Sequence, residues 1–168
     1  MTQATLDTPV KMAKAGKYLA FALGKEEYGL EILKVREIIG FMEVTAVPRT
    51  PDYVKGVINL RGKVIPVVDL RTKFGMEAVP RTQENCIIVV EILADGRKLS
   101  MGIVVDRVCE VLDIPGDKIQ EPPSFGTTVD TSFIMGMGKI GHSVKILVDI
   151  DKVLTTNDVT HVARAAAA

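Results

Sequence analysis

The stretch YGLEILKVREII, residues 28–39, aligns without a gap with MGIVVDRVCEVL, residues 101–112, at an offset of 73 positions. Both stretches place a glycine second and an acidic residue tenth, and apolar residues follow in both. A single match of this kind can arise by chance, so its weight depends on a second one in the same order. The paired positions are Gly29 with Gly102, Lys34 with Arg107, Val35 with Val108, and Glu37 with Glu110.

A second match lies further along each half of the chain. VVDL at residues 67–70 aligns with LVDI at residues 147–150, now at an offset of 80. The difference between 80 and 73 means seven extra residues in the second half, which fall naturally in the polar stretch 122–133. Two matches in the same order predict an internal duplication, which is the signature of a repeated structural unit.

The repeated unit has the pattern of β-strands. Residues 64–68 and 87–92 are nearly continuous runs of β-branched and apolar residues, which favours buried strands over surface helices. Each half has about five short strands and is close to the smallest size that supports its own core. We therefore predict a protein of the all-β class. It consists mostly of strands, arranged in two packed barrels, with a few short helices. The predicted organisation is a lead-in at 1–16, a first barrel at 17–82, a second barrel at 83–154, and a helical tail at 155–168.

The composition narrows the class of partner. Lys+Arg and Asp+Glu both total 21, and the formal net charge is zero. This balance gives no electrostatic footprint for nucleic acid or anionic lipid. Neither a signal-peptide pattern nor an apolar stretch of about 20 residues occurs, so we expect no direct membrane insertion and a cytoplasmic protein. Protein partners are the expectation.

Residues with catalytic or metal-binding chemistry are few and scattered. The histidines, His142 and His161, have no ligand neighbours at metal-site spacing. Cys86 and Cys109 sit in apolar runs and fit small core residues better than nucleophiles. Nucleotide-binding and hydrolase motifs are absent from the sequence. We expect no enzyme, no cofactor and no metal, although a small-molecule-binding β-barrel or an enzyme subunit stays an alternative.

Two acidic residues occupy equivalent positions of the repeat, Asp69 and Asp149. A pair of carboxylates can carry acid–base chemistry. Because equivalent positions of a repeat fall in separate barrels, we instead predict that each aspartate stabilises the turn at a strand end.

One polar turn distinguishes the first half. Asn59-Leu60-Arg61-Gly62 joins two very apolar strands, whereas the second half has Lys139-Ile140-Gly141-His142 in its place. Arg61 can be a solvated hairpin residue that keeps the chain soluble, with Asn and Gly serving the turn. It can equally be an arginine held by a carboxylate at the edge of a protein-binding surface. Composition and spacing leave both interpretations open.

The chain resembles the CheW family, the coupling proteins of bacterial chemotaxis, from about residue 17 to residue 154. Two motifs are specific to that family. The first is Lys55 and Gly56 followed by NLRG at 59–62, and the second is the strand PVVDLR at 66–71. Neither departs from the family's pattern. The matching stretches are YGLEILKVREI at 28–38, TPDYVKGVINLRG at 50–62, VIPVVDLR at 64–71 and GIVVDRV at 102–108.

The resemblance implies two SH3-like five-stranded β-barrels in a pseudosymmetric arrangement. It also implies an adaptor that joins the histidine kinase CheA, through its regulatory domain, to the cytoplasmic tips of methyl-accepting chemotaxis receptors. A receptor helix is expected in the groove between the barrels, beside a bridging Glu37–Arg61 pair. The implied receptor-binding residues are Val35, Glu37, Ile38, Gly56, Arg61, Gly62, Val104 and Val105.

A kinase-binding surface is harder to place. Phe41, Met42 and Val44 follow the break at Gly40. They form an exposed apolar patch of the kind an adaptor needs, unless they belong to the core. Both placements stay open, and these three residues are the predicted kinase contacts.

Overall fold

The computed structural model describes residues 15–77, 79–94, 96–122 and 132–154. Strands dominate this part of the chain, and two short helices accompany them. The mostly β class is therefore confirmed. The predicted tail helix at 155–168 and nearly all of the predicted lead-in at 1–16 lie outside the described residues. The strands are β1 (Gly16–Leu23), β2 (Glu26–Glu31), β3 (Val35–Gly40), β4 (Val54–Leu60), β5 (Lys63–Asp69), β6 (Cys86–Ala94), β7 (Arg97–Val105), β8 (Arg107–Ile114), β9 (Ile119–Gln120), β10 (Ile134–Ile140) and β11 (Ser143–Val148), and the helices are α1 (Leu70–Lys73) and α2 (Ile150–Leu154).

The strands form two sheets. The five-stranded sheet has the order β3-β6-β7-β5-β4, and the six-stranded sheet has the order β8-β1-β2-β11-β10-β9. Each sheet contains one parallel pair, β5 with β7 and β11 with β2, among antiparallel neighbours. The two sheets are consistent with the SH3-like barrels that the sequence predicts.

The sheets do not follow the two contiguous segments 17–82 and 83–154. The hairpin β1–β2 belongs to the first repeat but joins the strands of the second repeat in the six-stranded sheet. The hairpin β6–β7 of the second repeat likewise joins β3, β4 and β5 of the first. The two repeats therefore exchange their first hairpins. The boundary near residue 82 describes the duplicated units of sequence and not the membership of the sheets.

The exchange preserves the symmetry of the duplication. Gly29 of β2 pairs with Leu147 of β11, and Gly102 of β7 pairs with Val67 of β5. A Cβ at Gly29 would lie 2.9 Å from the Leu147 side chain, and one at Gly102 would lie 2.8 Å from the Ile87 side chain. Both glycines therefore allow a close approach between packed strands.

Three apolar clusters hold the sheets. The largest lies between them and takes residues from both, including Leu19 and Phe21 from the six-stranded sheet and Ile88 and Ile103 from the five-stranded one. Each sheet also has a smaller apolar cluster of its own. It includes Val67 in the five-stranded sheet and Leu147 in the six-stranded sheet. Because the largest cluster belongs to neither sheet alone, the two sheets are expected to be stable only together.

The short helices begin where the sequence predicts turns. The Asp69 carboxylate accepts a hydrogen bond from the Arg71 N–H at 3.0 Å, and Asp149 accepts one from the Asp151 N–H at 3.1 Å. Each aspartate thus caps the helix after the last strand of its repeat. Asp69 lies in the five-stranded sheet, and Asp149 directly follows the six-stranded one, as predicted for positions in separate barrels.

Candidate functional site

The Glu37–Arg61 pair joins the two edges of the five-stranded sheet. Glu37 lies in β3, at one edge, and Arg61 lies in the turn after β4, at the other. The guanidinium of Arg61 donates a hydrogen bond to the Glu37 carboxylate. The arginine is therefore held by a carboxylate, as the second interpretation of Arg61 requires, whereas a protein-binding surface at this place stays a prediction.

The turn that carries Arg61 is shaped by its own sequence. The Asn59 side-chain oxygen accepts a hydrogen bond from the Gly62 N–H at 2.9 Å. Arg61 has a φ of 53°, in the left-handed region of the backbone that residues other than glycine rarely adopt. The equivalent residue of the second repeat is Gly141, with a φ of 59°. The first repeat therefore keeps an arginine in a backbone conformation that favours glycine.

The pair is charged and accessible. Glu37 raises the pKa of the Arg61 guanidinium above its ordinary value, first through the hydrogen bond and then through its charge. The Arg61 side chain is 70% exposed and the Glu37 side chain 30%. Exposed ion pairs add little to stability because water and salt screen them. The pair therefore adds little to the stability of the fold.

Gly56 closes the same sheet. Thr45 forms two backbone hydrogen bonds with Val57 of β4, at 2.8 and 2.9 Å, and so brings the chain that follows β3 onto the far edge. Gly56 has a φ of 141°, and a Cβ there would lie 1.9 Å from the Thr45 carbonyl oxygen. Gly56 is buried, so its contribution to a binding site is indirect, through the path of the backbone.

The predicted apolar receptor residues differ in accessibility. Ile38 is 44% exposed, whereas Val35 is half-buried against the cluster between the sheets. Val104 is half-buried against the cluster inside the five-stranded sheet. Val105 is only 1% exposed, so its side chain belongs to the core and offers no contact surface to a partner. Glu37, Ile38 and Arg61 are the accessible part of the predicted set, together with the exposed Gly62.

The three predicted kinase contacts are half-buried. Phe41, Met42 and Val44 pack against the cluster inside the five-stranded sheet. The Arg81 guanidinium lies 4.2 Å from the centre of the Phe41 ring, a cation–π contact. These residues thus serve as core residues in part and form no fully exposed patch.

Two ion pairs between the sheets escaped the sequence reasoning. Arg71 binds Asp106 through two hydrogen bonds, Nε to Oδ1 at 2.8 Å and Nη2 to Oδ2 at 2.7 Å, and Lys34 binds Asp151 at 2.6 Å. The hydrogen bond from Arg71 lowers the pKa of Asp106 most, ahead of the Gly24 N–H. Arg71 and Asp106 lie inside the quoted family motifs, but nothing in their spacing shows that they meet.

Other chemistry is limited in the described ranges. No group of three or more His, Cys, Asp and Glu residues capable of holding a metal ion occurs among them. Cys86 and Cys109 are free and half-buried, and burial raises the pKa of the Cys109 thiol, which makes it less reactive. A cleft of about 500 Å³ lies over Arg71 and Asp106, whose polar atoms already bind each other. In the part of the chain that the structure covers, no helix is both long and apolar enough to cross a membrane.

The fold and the Glu37–Arg61 surface define a duplicated, two-sheet β-protein with an accessible polar pair at a sheet edge. Comparison with known proteins gives the family: a sequence model of the CheW-like domain matches residues 17–158. The chain belongs to the CheW family.

Several relatives of this chain are named as chemotaxis proteins. It is 42% identical to chemotaxis protein CheW of Klebsiella aerogenes over 142 residues, 84% of this chain and 83% of the relative. It is 35% identical to chemotaxis protein CheW of Rhizobium meliloti over 140 residues, 83% of this chain and 88% of the relative. The crystal structure of scaffolding protein TtCheW from Thermoanaerobacter tengcongensis matches with a TM-score of 0.74 at 36% identity, covering 86% of this chain and 95% of that one.

Proposed function

We propose that this chain is a non-catalytic, cytoplasmic adaptor that couples the histidine kinase CheA to the cytoplasmic tips of methyl-accepting chemotaxis receptors. In this role it helps to build the receptor–kinase array and catalyses no reaction. Membership of the CheW family supports the proposal, as does the likeness to a solved scaffolding protein. The adaptor acts by holding its partners in one geometry, so that a conformational change in the receptor alters the activity of the kinase.

The observation that carries the proposal is the backbone of Arg61. A residue other than glycine whose backbone lies in the left-handed region costs about 1–2 kcal/mol of folding free energy. The second repeat has Gly141 at the equivalent position and avoids this cost. The exposed pair with Glu37 offsets little of it. Strained residues of this kind cluster at functional sites, where the surroundings hold them in place. Recognition of a partner explains why the arginine is kept.

The receptor site of the proposal centres on this pair. Ile38 supplies exposed apolar surface beside it, and Val35 and Val104 are half-buried behind. Gly56 and Gly62 allow the backbone path of β4 and of the turn that carries Arg61. Val105 contributes to the site only by packing beneath it.

The kinase site of the proposal is the segment that closes the five-stranded sheet. Phe41, Met42 and Val44 each keep part of their side chain accessible while the rest packs inward. A partner that covers them would extend the cluster inside this sheet, which is the usual form of an apolar interface core.

A co-sedimentation assay with receptor-containing membranes and purified kinase tests the receptor site. Arg61→Glu and Glu37→Arg each place like charges together, and we expect each to reduce the adaptor and kinase recovered with the membranes by roughly tenfold, the loss that follows from about 1.4 kcal/mol. The double exchange Glu37→Arg with Arg61→Glu restores attraction between the two side chains. It should recover part of the binding.

Arg61→Gly is the sharpest single variant, because glycine adopts the positive φ of this position without strain. We expect its unfolding midpoint in urea to stay at or above that of the wild type while co-sedimentation falls. The matched control is Lys17→Asp, which breaks an exposed pair with Asp113 in the other sheet. Normal co-sedimentation of folded Arg61→Gly and Arg61→Glu proteins would remove this pair from the receptor site.

A further inference from the structure

Arg81 is an exposed cation that lies over one of the predicted kinase contacts. Its guanidinium carbon is 4.2 Å from the centre of the half-buried Phe41 ring. The pairing of β3 with β6 explains why the two residues meet. Gly40 at the end of β3 pairs with Cys86 at the start of β6, so the chain that leads into β6 passes beside the chain that leaves β3.

The backbone is fixed on both sides of Arg81. Pro80 precedes it, and a proline ring restricts its own φ. A tight turn follows, in which the Asn85 N–H donates to the Thr82 carbonyl oxygen at 3.3 Å and the Thr82 N–H donates to the Asn85 side-chain oxygen at 3.1 Å. The Asn85 side-chain amide also donates to the Asp106 carbonyl oxygen at 3.0 Å. The arginine is therefore preorganised, which lowers the entropic cost of binding a partner through it.

The guanidinium of Arg81 has no carboxylate of its own within the described ranges. The ring of Phe41 is the contact that the structure shows for it there, without an ion pair or a hydrogen bond. A contact with the face of a ring leaves the N–H donors of an arginine available to an acceptor. Three other arginines of this chain do bind carboxylates, in the pairs Arg36–Glu91, Arg61–Glu37 and Arg71–Asp106.

The surface beside Arg81 is apolar and partly accessible. Phe41, Met42 and Val44 pack inward but are only half-buried. A partner that covers this surface removes water from the guanidinium, which the ring already shields on one side. The planar fork of an arginine matches a carboxylate, whereas a partner without an acceptor leaves the desolvated cation unpaired at a cost in free energy. The surface therefore fits an acidic side chain flanked by apolar ones.

We propose that Arg81 is a binding residue of the kinase site and that it receives an aspartate or glutamate side chain of CheA. The inference rests on the proposed function and adds the charge that the kinase presents at this site. Phe41 then has two roles, since its ring positions the cation and its accessible part belongs to the apolar contact.

Calorimetric titration of the full-length chain with full-length CheA, without receptors, tests the proposal. Arg81→Gln removes the charge and the fork, and we expect the affinity for CheA to fall by roughly tenfold. Arg81→Lys keeps a cation that can lie over the ring but lacks the fork, so its affinity should fall by only roughly threefold. Salt screens such a pair, so raising the salt concentration should weaken binding of the wild type more than binding of Arg81→Gln.

Lys73→Gln is the matched control. It removes the other cation–π contact of the described chain that involves a segment next to β4, in which the Lys73 ammonium lies 4.2 Å from the centre of the Tyr53 ring. The affinity for CheA and its salt dependence should stay at the wild-type values. Urea unfolding of the Lys73 and Arg81 variants checks that all of them fold, as expected for the loss of a cation at the surface.

Met42→Asn separates this inference from the proposed kinase site, because it removes apolar contact surface without adding charge. If a folded Met42→Asn protein binds CheA weakly while Arg81→Gln keeps wild-type affinity and salt dependence, the role of Arg81 is overturned and the kinase site stands. Tighter binding by Arg81→Gln would also overturn the inference, since Arg81 would then cover Phe41 and compete with the kinase. A wild-type protein that binds no CheA would overturn the proposed function and this inference together.

Discussion

Gly56 is the residue on which closure of the five-stranded sheet depends most directly. Its replacement by alanine places a Cβ 1.9 Å from the Thr45 carbonyl oxygen, and the φ of 141° is unfavourable for any side chain. Relief requires the loss of the two hydrogen bonds between Thr45 and Val57 or a shift of β4. We expect Gly56→Ala to lower the free energy of unfolding by about 2–4 kcal/mol, measured by urea denaturation.

Gly141→Ala separates the steric part of this effect from the conformational part. Gly141 also has a positive φ, but nothing lies within 4 Å of a Cβ built there. Its replacement should cost only about 1 kcal/mol, the usual preference of this backbone region for glycine. Equal losses for the two variants would show that the Thr45 contact does not limit residue 56.

The contacts of a single residue can be predicted from the sequence where a family motif includes that residue and its partner. The bridge between Glu37 and Arg61 was expected from the family resemblance, and the structure contains it. The burial of Val105 was not foreseen, because Val104 and Val105 are alike in sequence and only strand alternation decides which one faces the core between the sheets.

At the scale of elements, Asp149 is the cap that starts α2. Its carboxylate accepts hydrogen bonds from the N–H groups of Asp151 at 3.1 Å and Lys152 at 3.3 Å, and the residue is buried. Asp149→Ala leaves both donors without that acceptor. The expected loss is about 1 kcal/mol of unfolding free energy.

Thermal and urea unfolding of Asp149→Ala measure this loss, and Asp69→Ala is the matched variant in the other repeat. Asp69 caps α1 in the same way but also lies 3.6 Å from Lys55, so its replacement should cost at least as much. An unchanged midpoint for Asp149→Ala would mean that water replaces the cap without cost.

Elements were predictable where local sequence decides them. A 3₁₀ turn at Ile32–Lys34 divides β2 from β3 within the segment 28–39 that carries the first match of the repeat. The short helix α1, Leu70–Lys73, begins at the Asp69 turn that the repeat predicts. The start of α2 is harder to predict, since its apolar residues continue the pattern of β11 and only the Asp149 cap marks the change.

At the scale of the whole molecule, the duplication was readable but the exchange of hairpins was not. Similarity between repeats shows which strands are equivalent, and equivalent strands can pair within a repeat or between repeats with the same hydrophobic pattern. Contacts that join the two repeats, such as those of Arg71 and Lys34 with partners 35 and 117 residues away, are visible only in the folded chain. Sequence spacing carries no record of contacts at that separation.

The Arg71–Asp106 ion pair also makes the stability of the whole fold sensitive to acid. Because Arg71 and the Gly24 N–H hold the pKa of Asp106 below its ordinary value of 3.8, the unfolded chain takes up this proton more readily than the folded one. The stabilisation is therefore complete above that value and is lost as the pH falls through the folded pKa.

Asp106→Asn removes this contribution, so its unfolding free energy should fall less than that of the wild type between about pH 6 and about pH 3, by up to about 1 kcal/mol. Urea denaturation at each pH measures the difference, with Asp113→Asn as the control, since its carboxylate pairs with Lys17 on the exposed surface. The other carboxylates titrate in all three proteins and cancel in the comparison. Parallel acid profiles for the wild type and Asp106→Asn would show that the Arg71–Asp106 ion pair does not link proton uptake to unfolding.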